Sequence, residues 1–228
     1  MDVSLHYEER GIGMPLILLH GNGEDLTYFK HQIEHFSKSR RVIAVDTRGH
    51  GKSPRGTAPF TLTQFAEDLL RFLNERKLEK ADILGFSDGG NIALLFALTH
   101  PERVGKLILN GANLSPKGMK ASVQIPVVMG YRIASFFARR QESARSNAEM
   151  LGLMVNEPHI EPVELQKLTM PVLVIAGSND MIKDPHTRLI AASIPGSELA
   201  IIKGDHFIAN KESEAFNAVV EKFLENRA

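Results

Sequence analysis

Short apolar runs rich in β-branched residues alternate with amphipathic helical stretches along most of this 228-residue chain. Such alternation is typical of a parallel sheet with helices on both faces. Strands of that kind read as continuous apolar runs, because they are buried on both sides. We therefore predict an α/β protein with a three-layer sandwich architecture. The predicted parallel strands are Pro15–Leu19, Arg41–Val45, Ala81–Gly85, Val104–Leu109, Pro171–Ala176 and Glu198–Ile202.

An earlier run, Val3–Tyr7, differs because its apolar and polar residues alternate. Alternation of period two indicates a half-buried strand, so this run is predicted to be an antiparallel edge strand. It brings the mostly parallel sheet to about seven strands. Helices are predicted from a capping box at Thr61–Gln64 to about Leu78, over Asn91–Leu98, and over Glu212–Glu225.

One interval breaks the alternation, between Asn110 and Pro171, and it is much longer than an ordinary connection between a strand and a helix. We predict an insertion over residues 114–169, with two amphipathic helices inside Ile125–Met154 and a core made of residues 1–113 and 170–228. The insertion is either a helical hairpin that covers a sheet edge or a lid over an apolar pocket. Its several methionines suit a lid, since flexible thioether side chains adapt to varied shapes.

The strand Ala81–Gly85 runs directly into a Gly-x-Ser-x-Gly motif centred on Ser87 and then into the apolar helix. Bare matches to this motif arise often by chance, but the strand-to-helix context is typical of a nucleophile elbow. Ser87 is therefore the candidate nucleophile, and the backbone N–H of Asp88, at the helix start, is a candidate oxyanion donor. A phosphate-binding turn is the alternative, but the Gly-Lys-Ser/Thr ending of such loops is absent.

A second oxyanion donor is expected in the loop after an earlier strand. His20-Gly21-Asn22-Gly23 directly follows Pro15–Leu19, so the backbone N–H of Asn22 is the candidate. The flanking glycines let the chain fold back over the site without side-chain obstruction. His20 itself is interpreted as a structural residue that orients this loop.

A serine nucleophile needs a base, and nine histidines compete for that role. His206 directly follows the last predicted strand, and catalytic groups in sheets of this kind gather at the carboxyl ends of strands. It is the predicted base, with His159 and His186, near the insertion and the late loops, as rivals. The remaining histidines lie on the edge strand, by helices or in turns, and are given structural roles.

The base in turn needs an acid that orients it. Asp180 follows the strand Pro171–Ala176 at its carboxyl end and is the predicted acid, with Asp184 in reserve. Asp205 adjoins His206 in sequence, but side chains of sequence neighbours usually point apart. The predicted catalytic residues are thus Ser87, Asp180 and His206, in that chain order.

The amino-acid composition excludes several kinds of active site and binding partner. The chain has no cysteine, which excludes a cysteine nucleophile, a thiolate zinc site and CxxC redox chemistry. Its 27 basic residues balance its 27 acidic ones, so it lacks the basic excess that binding to nucleic acid requires. No apolar run spans a bilayer, and no secretory or transit signal is recognised. We expect a soluble cytoplasmic protein that needs no metal or other cofactor.

Four motifs together resemble the α/β-hydrolase fold family over nearly the whole chain. They are His20–Gly23, Val45–Ser53, the elbow Gly85–Gly90, and the late pair Gly177–Asp180 and Gly204–Phe207. The family has the order Ser, Asp, His, and the resemblance implies one antiparallel strand near the start and a lid after the strand that follows the elbow helix. It also implies that the loop at Asp46 is structural. Two departures are a missing first strand and a short lid.

Ser87 also separates the chain from the haloalkane dehalogenases and epoxide hydrolases of this fold, which use an aspartate there. The Ser-Asp-Gly-Gly elbow is similar to that of valacyclovirase-like esterases, so the Asp88 carboxylate is expected either to attract a cationic substrate group or to hydrogen-bond locally. We predict a serine hydrolase of small carboxylic esters. The same residues would serve a thioesterase, an amidase, a carbon–carbon bond hydrolase, or a small-molecule receptor without turnover.

Overall fold

A computed structural model describes residues 2–138 and 140–226 of the chain. Arg139, inside the predicted insertion, lies outside the described residues. Seven strands form one sheet in the order β1-β3-β2-β4-β5-β6-β7. The edge strand β1 runs antiparallel to β3, and every other neighbouring pair is parallel. The predicted α/β fold is confirmed. The strands are β1 Tyr7–Arg10, β2 Pro15–Leu19, β3 Arg41–Val45, β4 Ala81–Phe86, β5 Val104–Asn110, β6 Val172–Gly177 and β7 Glu198–Ile202.

The edge strand is antiparallel as predicted, but its position differs from the prediction. It begins at Tyr7, where the predicted run Val3–Tyr7 ends, and its register pairs Tyr7 with Val45 and Arg10 with Val42. Three of its four residues are exposed and charged, so they lack the apolar signal that marks the other strands. The alternation of apolar and polar residues before Tyr7 does not mark a strand. It arises because Leu5 packs against the core although it lies outside β1.

Eight α-helices occur among residues 2–138 and 140–226. They are α1 Lys30–Phe36, α2 Leu62–Glu75, α3 Asp88–Thr99, α4 Ala121–Phe137, α5 Glu142–Asn156, α6 Asp184–Ser193, α7 Ile208–Lys211 and α8 Ser213–Glu225. Helix α2 has the predicted N-cap, in which the Thr61 hydroxyl accepts from the Gln64 N–H at 3.1 Å. It ends before Leu78 because Lys77 adopts a left-handed backbone conformation with φ of +54°.

The core lies on both faces of the sheet, because alternate residues of each central strand point to opposite sides. Ile17 and Leu19 of β2 pack in the cluster that contains α2, α3 and α6, whereas Leu16 and Leu18 pack in the cluster that contains α1 and α8. All four of these side chains are buried. This arrangement forms the three layers that the apolar runs predicted.

Helices α4 and α5 follow β5, in the interval predicted to be inserted. Helix α5 buries Leu153 against the core and is tied to the rest of the chain by a forked ion pair between Arg55 and Glu149, with both N···O distances at 2.8 Å. Helix α4 instead leaves large apolar side chains exposed. Among them are Ile125, Met129, Ile133 and Phe136. No helix in the described part of the chain has the length and apolar character needed to cross a membrane.

Candidate active site

Ser87 occupies the sharp turn between β4 and α3, with φ of 53° and ψ of −121°. A non-glycine residue in such a region costs about 1–3 kcal/mol, so the surrounding structure must enforce it. Glycines allow the close approach: a Cβ on Gly85 would lie 2.2 Å from the Gly89 carbonyl oxygen, and one on Gly89 would lie 2.0 Å from that of Leu19. The turn therefore holds the Ser87 hydroxyl, half-buried, above the strand ends.

Ser87, His206 and Asp180 form one hydrogen-bonded line. His206 Nε2 lies 3.0 Å from Ser87 Oγ, and His206 Nδ1 lies 2.6 Å from Asp180 Oδ1. The histidine and the aspartate are each 3% exposed. A carboxylate only accepts hydrogen bonds, so Nδ1 carries the proton and the Nε2 lone pair faces the serine hydroxyl. The arrangement can remove a proton from Ser87.

The carboxylate of Asp180 is itself held by the backbone. Oδ1 also accepts from the Ile182 N–H at 2.9 Å, and Oδ2 accepts from the Gly177 N–H at 3.3 Å. Gly177 ends β6, where the chain passes so close to the next loop that a Cβ on this glycine would lie 2.0 Å from the Asp205 carbonyl oxygen. The ends of β6 and β7 thus bring the acid and the histidine together.

The ring of His206 sits in a slot that two other residues shape. Gly111, directly after β5, has φ of +63°, and a Cβ there would lie 2.6 Å from His206 Cε1. On another side the Phe86 ring lies 4.8 Å from the imidazole, centroid to centroid. Neither residue was singled out from the sequence. The only available signal was a glycine at the end of an otherwise apolar strand.

The loop after β2 is fixed by His20, which is buried. Its Nε2 accepts from the Thr47 N–H at 3.0 Å, so Nδ1 carries the proton and donates to the Gly21 carbonyl at 2.7 Å. Burial lowers the pKa of His20 to about 4, which keeps the ring neutral near pH 7. This geometry fits the structural role predicted for His20.

The loop at Asp46 also supports the site from outside it. Asp46 Oδ1 accepts from the Leu26 N–H at 2.8 Å and Oδ2 accepts from the Lys52 N–H at 2.9 Å. A Cβ on Gly51 would lie 2.2 Å from Asp46 Oδ2. The carboxylate therefore organises two loops, which fits the structural role that the resemblance implied.

Asn22 and Asp88, the predicted oxyanion donors, are joined through their side chains. Asn22 Nδ2 donates to Asp88 Oδ2 at 2.8 Å, and Asn91 Nδ2 donates to Asp88 Oδ1 at 3.2 Å. Asp88 is 8% exposed, and burial raises the pKa of its carboxyl. Since each carboxylate oxygen has a partner, this geometry favours local hydrogen bonding over attraction of a cationic substrate group. The role of the two backbone N–H groups stays a prediction.

The rival histidines lie away from Ser87 or are otherwise occupied. His186 Nε2 accepts from the Leu114 N–H at 2.9 Å, and a Cβ on Gly118 would lie 2.6 Å from its ring. Burial lowers the pKa of this imidazole. His159 is exposed after α5. The structure thus brings His206 alone of these three into contact with Ser87.

The alternative acids are engaged in other contacts. Asp184 opens α6 and pairs with Arg188 at 2.9 Å on an exposed surface. Asp205 forms an ion pair with Lys211 and accepts from the Phe207 N–H at 2.8 Å. Neither carboxylate forms a hydrogen bond with His206, whereas that of Asp180 does.

Glu24, half-buried beside the loop after β2, is a titratable group that the sequence did not mark. Its Oε2 accepts from the Gly21 N–H at 3.3 Å, and burial raises its pKa from 4.5 to about 7. The folded protein therefore binds this proton more tightly than the unfolded chain. The resulting stabilisation is complete below about pH 4.5 and is lost as the pH rises through 7.

Replacing Glu24 with Gln is expected to remove this loss. The free energy of unfolding of the variant, relative to the unmodified protein, should rise by about 1 kcal/mol between pH 5 and pH 8, a value reduced for partial solvent exposure. Urea unfolding at the two pH values measures it. The matched control is Glu34→Gln, at an exposed carboxylate on α1. Parallel pH profiles for Glu24→Gln and the unmodified protein would contradict the assignment.

A serine on a strand-to-helix turn, beside a histidine and an aspartate on a mostly parallel sheet, is the arrangement typical of the α/β hydrolase fold. Comparison with known families agrees. The model of the α/β hydrolase fold family matches residues 14–154. The chain belongs to this family, and its general activity is that of a hydrolase.

The names of individual relatives indicate different substrates. The chain is 28% identical to 3-oxoadipate enol-lactonase 2 of Acinetobacter baylyi, over 98% of this chain and 94% of that protein. It is 34% identical to 2-hydroxymuconate semialdehyde hydrolase of a Pseudomonas species, over 56% of this chain and 44% of that protein. The crystal structure of an enol-lactonase from Burkholderia xenovorans superposes with a TM-score of 0.83 at 22% identity, covering 98% of this chain and 97% of that one. This last likeness shows the fold alone.

Proposed function

We propose that the protein is a serine hydrolase of small carboxylic esters, with lactones, which are cyclic esters, included. The observation that carries the proposal is the unbroken line from Asp180 through His206 to Ser87. Each link is within hydrogen-bond reach, and the serine sits on a strained turn. The enol-lactonase among the relatives supports the ester class.

In the first half of the reaction, Ser87 Oγ attacks the ester carbonyl while His206 Nε2 accepts the hydroxyl proton. Asp180 accepts the Nδ1 hydrogen bond and stabilises the imidazolium. The backbone N–H groups of Asn22 and Asp88 hold the oxyanion. As the tetrahedral intermediate collapses, the imidazolium gives its proton to the departing alcohol, which leaves an acyl group on Ser87.

Water completes the cycle. His206 accepts a proton from a water molecule as its oxygen attacks the acyl carbonyl, and the second tetrahedral intermediate releases the carboxylic acid. The proton then returns from Nε2 to Ser87 Oγ, which restores the starting state. No metal or other cofactor takes part in these steps.

The substrate is proposed to carry an apolar acyl or alcohol group. Helices α4 and α5 are rich in apolar side chains, including Met150 and Met154, both partly buried. Methionine adapts to ligands of different shape. Thioesters, amides and carbon–carbon bonds remain alternative substrates for the same residues. The relative from Pseudomonas supports keeping them, because it is named as a semialdehyde hydrolase and not as a lactonase.

The function is tested with a chain-length series of p-nitrophenyl esters, run beside a thioester, an anilide and a lactone. Multiple turnover on short esters or lactones, with kcat/KM about tenfold or more above that on the other classes, is expected. Faster turnover of the thioester or anilide would change the substrate class. A single turnover on every compound would instead support a receptor and refute the enzyme.

A further inference from the structure

One side-chain amide, that of Asn22, joins three separate parts of the fold. Its Nδ2 donates to Asp88 Oδ2 at the start of α3 and to the Met150 carbonyl oxygen in the middle of α5, both at 2.8 Å. An amide nitrogen has two hydrogens, so both are used. The loop after β2, the turn at Ser87 and helix α5 therefore meet at the Asn22 side-chain amide.

The first anchor, Asp88, is rigidly placed. Its other oxygen accepts from Asn91 Nδ2, and Asn91 in turn exchanges two hydrogen bonds with Asn113, at 3.1 and 2.9 Å. Asn91 is 1% exposed and Asn113 is 6% exposed. A buried network with partners at each step resists displacement, because breaking it would leave polar groups unpaired.

The second anchor, the Met150 carbonyl, is placed by the attachment of α5. Glu149, one residue earlier, accepts two hydrogen bonds from the Arg55 guanidinium. At the end of the helix, the Glu157 carboxylate accepts from the Leu62 N–H at 2.8 Å. Both contacts join α5 to the segments around α2. The position of the carbonyl that Asn22 contacts therefore depends on α5 staying in place.

The Asn22 loop is fixed on the side before Asn22, where His20 and Gly21 are buried, but it is loosely packed on the side after it. Gly23 is exposed, has φ of +75°, and would place a Cβ in open space. Glycine leaves the backbone free to sample several conformations. The direction of the Asn22 N–H therefore depends in part on side-chain contacts, and the Asn22 amide supplies two of them.

We propose that the Asn22 side chain is a positioning group that aims the Asn22 backbone N–H at the oxyanion, with Asp88 and the Met150 carbonyl as its anchors. The inference rests on the proposed function. It also means that α5 affects the oxyanion hole through Asn22, because displacement of α5 would remove one of the two anchors.

The first test is Asn22→Ala, which keeps the backbone N–H and removes both side-chain contacts. We expect kcat on the best ester to fall about 30- to 100-fold, with KM within about twofold, because a misaimed donor affects the transition state and spares substrate binding. The affinity for a trifluoromethyl ketone, whose adduct with Ser87 carries the oxyanion, should fall by the same factor as kcat. Asn22→Ser gives the same readout where Asn22→Ala does not fold.

The second test asks whether α5 acts through Asn22. Arg55→Ala loosens the attachment of α5 and is expected to lower kcat about three- to tenfold, whereas Arg71→Ala, at an exposed arginine on α2, should leave it unchanged. In the Asn22→Ala background the effect of Arg55→Ala should vanish, since the contact it acts through is gone. Additive effects would refute the link to α5.

The two proposals fail in different ways. If the unmodified protein neither turns over esters nor reacts with a serine-directed fluorophosphonate, the proposed function is wrong. If it does both, but Asn22→Ala keeps kcat within twofold or raises only KM, the function stands and the positioning role is refuted. Loss of folding stability with unchanged kcat in Asn22→Ser would likewise reduce Asn22 to a structural residue.

Discussion

Replacing Ser87 with Ala is expected to lower kcat/KM on the best ester by at least about 10⁴-fold. The variant has no hydroxyl to form the acyl intermediate, and removal of a serine nucleophile from such a line of residues abolishes the covalent path. The effect should fall almost wholly on kcat, because Oγ is the attacking atom and contributes little to substrate binding. Steady-state rates on the p-nitrophenyl series measure it.

The loss of activity in Ser87→Ala is not expected to come from unfolding. Alanine at position 87 meets the same backbone strain as serine, and the hydroxyl is half-buried, so the free energy of unfolding should change by less than about 1 kcal/mol. Ser39→Ala, at an exposed serine between α1 and β3, is the matched control and should keep full activity. Retention of even a tenth of the activity by Ser87→Ala would remove Ser87 as the nucleophile.

The six parallel strands could be predicted from the sequence because their apolar residues form continuous runs, and they include β7, an edge strand whose residues are mostly exposed. Pro15–Leu19 and Arg41–Val45 match β2 and β3 to the residue, because no polar side chain interrupts the apolar runs Pro15–Leu19 and Val42–Val45. The edge strand β1 could not be placed as well. Its pairing with β3 depends on backbone hydrogen bonds, and its charged residues Glu8–Arg10 carry no burial pattern.

The candidate site could be predicted only in part, for a similar reason. Ser87, Asp180 and His206 each follow a strand, and the carboxyl ends of parallel strands meet at one edge of the sheet. The contact of Asn22 with Met150 spans 128 positions and depends on how α5 lies over the core. No local pattern encodes such a placement.

Replacing His206 with Ala is the second change with a very large expected effect, a fall in kcat of about 10⁴-fold or more near pH 7. Ser87 remains, but no group accepts its proton, and a neutral hydroxyl is a weak nucleophile. The double variant with Ser87→Ala should be no slower than the slower single variant, because the two residues act as one unit. His159→Ala, at the exposed rival histidine, should keep the unmodified rate.

The slot around His206 allows a sharper test. Removing the ring leaves a space bounded by Gly111, Phe86 and the carboxylate of Asp180, whose Oδ1 would accept an N–H from a free imidazole molecule. Added imidazole should therefore raise the rate of His206→Ala about tenfold or more. His206→Gln, whose side chain fills the same space without a suitable base, should gain nothing. Equal gains in both variants would mean that imidazole acts from solution, and the slot would then have no part in positioning the base.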